Sequence, residues 1–191
     1  MSRPDEARRA VFLDRDGTLI EDAGYLREPG QVRLLAGAAE ALARINQAGF
    51  LAIVATNQSG IARGLLTTDD YLRTEQRVDD LLGEHGARLD AHYFCPHLPE
   101  MDGPCDCRKP GPLLYRQAAE RFGIDLAGSW WIGDRLRDVE ASRLFGGRGI
   151  LVETGPAGPP PPDTGFPVAA DLQAAVETVL AASPRHYFPS P

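Results

Sequence analysis

Short apolar runs alternate along this chain with longer stretches in which apolar residues recur every three or four positions. The short runs are Ala10–Asp14 (AVFLD), Phe50–Thr56 (FLAIVAT), Ala91–Cys95 (AHYFC), Ser129–Asp134 (SWWIGD) and Gly149–Glu153 (GILVE). They read as five strands, and their near-continuous apolar character suits a parallel sheet covered on both faces. Between them, Ala38–Ala48 places Leu42 and Ile45 on one side of a helix and stops at Gly49, a natural C-terminal cap. Thr68–His85 starts with a capping Thr and with Asp69 and Asp70, where a helix dipole favours negative charge, and puts Tyr71, Val78, Leu81 and Leu82 on one face. Pro112–Phe122 and Arg137–Phe145 are also helical in pattern, each followed by glycine. Repeated strand–helix alternation predicts an α/β fold built on an open, doubly wound, mostly parallel sheet.

The C-terminal part changes character. Gly155–Pro167 (GPAGPPPPDTGFP) reads as a proline-rich loop, followed by a strand-like PVAA and a helix over Asp171–Ala182. The expected organisation is a single domain over residues 1–183, with a flexible tail over 184–191. No internal repeat is evident.

Composition narrows the function classes. At 191 residues, 43% hydrophobic and 25% charged, the chain has the make-up of a globular protein able to bury an ordinary core. A net charge of −7 argues against a nucleic-acid partner, which normally calls for a positive face. No apolar run suits a signal peptide or a membrane span, so the default expectation is a cytoplasmic protein without a membrane partner. No GxxxxGK[ST] motif is present, which removes a P-loop nucleotide site.

Ligands of open α/β sheets bind beyond the carboxyl ends of the strands. The first predicted strand ends in Asp14-Arg15-Asp16-Gly17-Thr18, the second in Thr56-Asn57-Gln58-Ser59-Gly60, and the fourth in Gly133-Asp134 with Asp138 one helical turn later. Arg108 and Lys109 follow the third. These residue types suit phosphate-ester hydrolysis. A carboxylate can attack phosphorus and split the reaction through an acyl phosphate. Mg²⁺ relieves the repulsion between the two anions and prefers hard oxygen ligands. A second carboxyl group can protonate the leaving alkoxide, while a lysine and a hydroxyl hold the transferred group. Taken singly, each motif has an ordinary structural reading: an Asp after a strand often caps a helix, and Gly17 or Gly60 can serve a turn. Four motifs in order, each after a strand, leave that reading a minority one.

All three cysteines lie between Cys95 and Cys107, as Cys95-Pro96-His97 and Cys105-Asp106-Cys107. An odd, clustered set is a poor disulfide framework. With His97 it offers the three thiolates and one imidazole of a structural zinc site, with no position left open for water. The one-residue spacing departs from the usual CxxC pair, and chance clustering of buried thiols is the competing reading. His85 and His92 are given no role, Trp130 and Trp131 are read as core, and His186 as solvated.

The series D-x-D-G-T, T-N, K and G-D-x-x-x-D resembles the haloacid dehalogenase superfamily over residues 10–153. That resemblance implies a Rossmann-like sheet with a minimal cap, Asp14 as nucleophile and Asp16 as acid/base. It also implies Thr56 and Lys109 on the phosphoryl group, and Mg²⁺ held by Asp14, Asp134 and the main-chain carbonyl of Asp16, with Asp138 close behind. An acid at Asp16 favours a phosphatase over a dehalogenase. The CPH…CDCRKP stretch is similar to a zinc-loop subgroup that holds heptose-bisphosphate phosphatases and histidinol-phosphate phosphatases; TNQSGIARG (Thr56–Gly64) and EDAGY (Glu21–Tyr25) look more like the former. On that likeness Asp22, Ala23, Gly24 and Tyr25, with Thr56, Asn57, Gln58, Ser59, Arg108, Lys109 and Arg135, would surround a small phosphorylated sugar, Arg108 helping with a second phosphate. The short His97–Cys105 loop is closer to the histidinol-phosphate type, and Arg135 stands where lysine is often found. The absence of a large inserted cap suggests an open site in a monomer, and the resemblance implies an enzyme that serves lipopolysaccharide or another heptose glycan. The alternatives are the histidinol-phosphate enzyme and a sugar-phosphate-binding module without turnover.

Overall fold

A computed structural model describes residues 7–156, 158–161 and 163–183; the segment 184–191, expected to be a flexible tail, and His186 within it lie outside the described residues. Six strands form one sheet in which every pairing is parallel: β1 (Ala10–Leu13), β2 (Leu51–Asn57), β3 (Ala91–Cys95), β4 (Trp130–Gly133), β5 (Arg148–Val152) and β6 (Val168–Ala169). Their spatial order is β3-β2-β1-β4-β5-β6. The chain winds outward from β1 in one direction, returns, and winds outward in the other. The strand order therefore reverses beside β1, where β1 and β4 diverge to opposite crossovers and leave a crevice at their carboxyl ends.

Alternation along the strands sorts the core into two layers. Val11, Leu13, Ala52, Val54, Trp130, Ile132, Ile150 and Val152 face one side. There they pack with α1 (Ala38–Gln47), α2 (Thr68–Glu84) and α7 (Leu172–Ala181) through residues such as Leu42, Ile45, Val78 and Val176. Phe12, Leu51, Ile53, Ala55, Trp131 and Leu151 face the other, against Leu114, Tyr115 and Ala118 of α4 (Leu113–Phe122). Trp131 stacks on Phe12 at 4.9 Å between ring centroids and lies parallel to Phe145 at 5.9 Å. Covering both faces explains the continuous apolar strands.

Three local features differ from the expected pattern. The N-cap of α2 is Thr67, not Thr68; its hydroxyl accepts from Asp70 N at 3.0 Å while the Asp70 carboxylate accepts from Thr67 N at 2.8 Å, a reciprocal capping box. The helix expected over Arg137–Phe145 is two short ones, α5 (Leu136–Val139) and α6 (Ala141–Phe145), which meet at Glu140. The loop between His97 and Cys105 contains a helical turn, α3 (Pro99–Asp102), started by proline and tied by Asp102 to Leu98 N at 2.8 Å. Among the described residues no helix is long and apolar enough to cross a membrane.

Candidate active site and thiol cluster

A cleft of about 300 Å³ opens at the carboxyl ends of β1, β2 and β4. Asp14 is delivered there by the end of β1, its main-chain N–H held by Ile132 O of β4 at 2.9 Å. Asp134 follows β4 directly, and Asp138 sits in the first turn of α5. One oxygen of Asp138 accepts from Arg135 N at 2.9 Å and so caps that turn; the other lies 2.8 Å from Lys109 Nζ. Lys109 Nζ also donates to Asp14 Oδ1 at 2.5 Å. The lysine is buried, which works against its charge, yet the adjoining Asp138 and Asp14 carboxylates outweigh burial and raise its pKa.

The main chain of Lys109 is clasped separately by the Asn57 amide. Lys109 N donates to Asn57 Oδ1 at 2.9 Å, and Asn57 Nδ2 donates to Lys109 O at 3.3 Å. The end of β2 thus aims the cation that the β3 loop supplies.

Asp14, Asp134 and Asp138 bring carboxylate oxygens within 4.8 Å of one another. Both Asp134 oxygens are buried without a hydrogen-bond partner, and the nearest cation recorded, Arg135 Nε, is 3.5 Å from Oδ2. Burial, with Asp14 and Asp138 close by, pushes the Asp134 carboxyl up to about 7. Glycine backbones keep its surroundings open. Gly17 holds φ at +83°, and a Cβ there would stand 3.0 Å from Asp134 Oδ2; a Cβ on Gly155 would collide with the same oxygen. Clustered, desolvated, unpartnered carboxylate oxygens fit a hard divalent cation such as Mg²⁺.

Asp16 faces the same cleft, its carboxylate accepting from Gln58 Nε2 at 2.9 Å and from the Arg15 guanidinium at 3.0 and 3.1 Å. Burial raises its pKa despite that guanidinium. Gln58 Nε2 also donates to Thr56 Oγ1 at 3.0 Å, which orients the threonine hydroxyl.

Asp14, Asp16, Asp22, Gly24, Tyr25, Thr56, Asn57, Gln58, Ser59, Lys109 and Arg135 all line the cleft. Asp22 and Arg135 approach each other at 3.5 Å. Two of the expected substrate contacts do not line it. Ala23 is one; Arg108 is the other, and its Nη1 donates instead to His97 O at 3.0 Å. Three further residues do: Gly60, Arg137 and Asp138. Asp138, expected close by the metal ligands, lies there: α5 starts immediately after β4, and an Asp138 oxygen falls within 4.8 Å of ligand atoms of Asp14 and Asp134. Arg137 carries a signal in hindsight, since a cation one residue before Asp138 shares its turn at the strand end.

Cys95, His97, Cys105 and Cys107 converge beside this rim. Cys95 Sγ lies 3.6 Å from Cys105 Sγ, Cys107 Sγ 3.4 Å from Cys105 Sγ, and His97 Nδ1 3.2 Å from Cys107 Sγ. Cys107 Sγ and Cys95 Sγ are closer, at 2.8 Å; a tetrahedral zinc with ~2.3 Å bonds to sulfur sets ligand atoms about 3.8 Å apart, so this pair would open by about 1 Å to admit the ion. Burial pushes the Cys95 thiol up, whereas hydrogen bonds from Cys107 and the chain around it overcome burial at Cys105 and bring it to about 7.

Residues 106–177 match a HAD-hydrolase-like family model. A D-glycero-beta-D-manno-heptose-1,7-bisphosphate 7-phosphatase of Yersinia pestis is 38% identical over 177 residues, 90% of this chain and 89% of that protein. The enzyme of the same name from Pseudomonas aeruginosa is 38% identical, covering 91% of this chain and 99% of its own. Among solved structures, the D,D-heptose 1,7-bisphosphate phosphatase of Bordetella bronchiseptica, complexed with magnesium and phosphate, superposes with a TM-score of 0.80 at 37% identity, over 92% of this chain and 99% of that one.

Proposed function

The chain belongs to the haloacid dehalogenase-like hydrolases, among the heptose-bisphosphate phosphatases, and from that membership we propose that it removes the 7-phosphate of D-glycero-D-manno-heptose 1,7-bisphosphate through an aspartyl-phosphate on Asp14. The observation that carries the reading is the meeting of Asp14 with Lys109 at 2.5 Å in a cleft also lined by Asp16 and Thr56. Nucleophile, acid and phosphate-gripping groups stand together there.

Asp14 attacks phosphorus, and the bond to the sugar oxygen breaks. Asp16 gives its proton to that oxygen, then takes one from the water that hydrolyses the acyl phosphate. Lys109 and Thr56 hold the equatorial phosphoryl oxygens. Asp14, Asp134 and the main-chain carbonyl of Asp16 would hold Mg²⁺, with Asp138 beside them. When bound, the ion offsets the repulsion between Asp14 and the phosphate dianion. Arg135 and Arg137 supply positive charge along the cleft for the second phosphate, with Asp22, Gly24, Tyr25 and Ser59 around the sugar.

Zinc is assigned to Cys95, His97, Cys105 and Cys107, where it would fix the loop that leads directly into Arg108 and Lys109. The same reading takes the protein to be a monomer. A substrate bearing two phosphates does not cross bilayers unaided, which supports a cytoplasmic site of action.

The test is phosphate release with Mg²⁺ from the heptose 1,7-bisphosphate and from histidinol phosphate at matched concentrations. The heptose ester should be turned over far faster. A preference for histidinol phosphate would move the substrate while keeping the mechanism, and no release from either would sink the reading.

A further inference from the structure

Arg15 lies between the two aspartates of the first motif, yet its side chain turns away from the cleft. It is 1% exposed and is not part of the cleft lining. Its Nε donates to Asp16 Oδ2 at 3.1 Å and its Nη2 to Asp16 Oδ1 at 3.0 Å. On the far side, Nη1 donates to Thr74 Oγ1 at 3.3 Å, and Cζ stands 5.0 Å from the centre of the Tyr71 ring. Thr74 and Tyr71 both belong to α2, and the Thr74 hydroxyl donates to Tyr71 O at 2.8 Å.

A guanidinium in this position is an expensive way to fill core space. Desolvating a charge costs several kcal/mol unless it is paired and hydrogen-bonded, and an apolar residue of similar volume would pack there without that penalty. What an apolar residue could not do is grip both oxygens of a carboxyl group in one plane. A rigid fork of donors fixes both the rotation and the tilt of that group. A lysine would supply charge without the plane.

We propose that Arg15 is the positioning residue for Asp16: braced against Thr74 and Tyr71 of α2, it holds the carboxyl group from behind. The edge left free then faces the scissile oxygen. This deepens the phosphatase reading and rests on it. In chemical terms Arg15 touches neither substrate nor metal; it acts only through the residue that moves the proton. Its contribution therefore scales with how badly the leaving group needs that proton. A sugar alkoxide needs it, whereas p-nitrophenolate leaves without it.

The experiment compares kcat/KM, which reports steps up to leaving-group departure, for heptose 1,7-bisphosphate and p-nitrophenyl phosphate in the presence of Mg²⁺. Wild type, Arg15→Met, Asp16→Asn and the double variant are used, each first checked for a wild-type circular-dichroism spectrum. Arg15→Met should lose about 100-fold on the sugar phosphate and less than about threefold on the nitrophenyl ester. Asp16→Asn should show the same selectivity, and the double variant should lose little more than Asp16→Asn alone. Equal losses on both esters, or losses that add fully in the double variant, would overturn the positioning role. Should Arg15→Met not fold, Arg15→Lys carries the test: a selective loss on the sugar phosphate supports the assignment, and unchanged kcat/KM refutes it. A wild type that releases phosphate from neither ester would overturn the phosphatase reading and this assignment with it, an outcome distinct from every result above.

Discussion

The acidic centre and the thiol cluster share one rim of the sheet but were put together in opposite ways. The thiol cluster draws every ligand from the stretch between Cys95 and Cys107, and its atoms already lie within reach of one another. The acidic centre draws Asp14 from the end of β1, Lys109 from the loop after β3, and Asp134 and Asp138 from the end of β4 and the start of α5. One is a local clasp; the other exists only because the parallel strands β3, β2, β1 and β4 end along one edge of the sheet. Their energetics differ accordingly. The acidic centre concentrates like charge in a buried place, and its strain surfaces as an Asp134 carboxyl pushed up to about 7. Lys109 belongs to both regions, carried by the thiol loop but clasped by Asn57 of β2. The thiol loop therefore assists in aiming it rather than doing so alone.

The sharpest break in that comparison comes from Asp14→Asn. An amide cannot attack phosphorus, so turnover should fall on the order of 10⁴-fold or more with the fold intact, as phosphate-release assays beside a melting curve would record. Next in size is Asp134→Asn. At a hundred times its Kd, Mg²⁺ should stabilise the wild-type protein by about 2.7 kcal/mol. The variant should lose most of that shift in a thermal melt, along with its activity. An undiminished shift would remove Asp134 from the metal site.

Cys107→Ser probes the other region. Bound zinc, measured by elemental analysis, should drop from one equivalent toward none, while activity falls only about 10- to 100-fold, because Asn57 still clasps Lys109. A loss as deep as that of Asp14→Asn would show that the thiol loop alone aims the lysine.

The smallest effect concerns the strand from which the thiol loop springs. His92 of β3 lies 2.9 Å from both Glu75 and Asp79 of α2. Burial lowers its pKa, but the hydrogen bond to Asp79 and the adjoining Glu75 carboxylate outweigh it and raise the value to about 9 from an ordinary 6.5. The folded state thus favours the protonated form. The stabilisation is fully present below pH 6.5 and disappears as pH rises through about 9. His92→Gln should cost about 2 kcal/mol at pH 6 and much less at pH 10, read from denaturant midpoints. A difference that does not change with pH would remove the ion pairs as its cause.

The fold was largely legible because its signals are local. Period and run length located all the strands to within a residue or two, and the apolar continuity of Phe50–Thr56 announced burial on both faces. The errors fell where neighbouring residues compete for one role. Thr67 and Thr68 are chemically equivalent caps, and the reach of Asp70 to the Thr67 N–H settled the choice. Glu140 carries no breaker and keeps helical angles (φ −57°, ψ −34°), so nothing in the local sequence marks the point where α5 gives way to α6. His92 looked idle in one dimension, since its partners on α2 lie more than ten positions away in the chain.

By itself the sequence determined which residue types stand at the ends of which strands. That was enough to bring Asp14, Asp16, Thr56, Lys109 and Asp134 to one rim and to group the cysteines with His97. Only the tertiary structure decided where the long cationic side chains point. Arg108 turned to the His97 carbonyl, Arg137 joined the cleft, and Arg15 swung behind Asp16 onto α2. Strand ends are set by short-range pattern, whereas an arginine has several rotatable bonds and settles on whichever acceptors the packed elements bring within its reach.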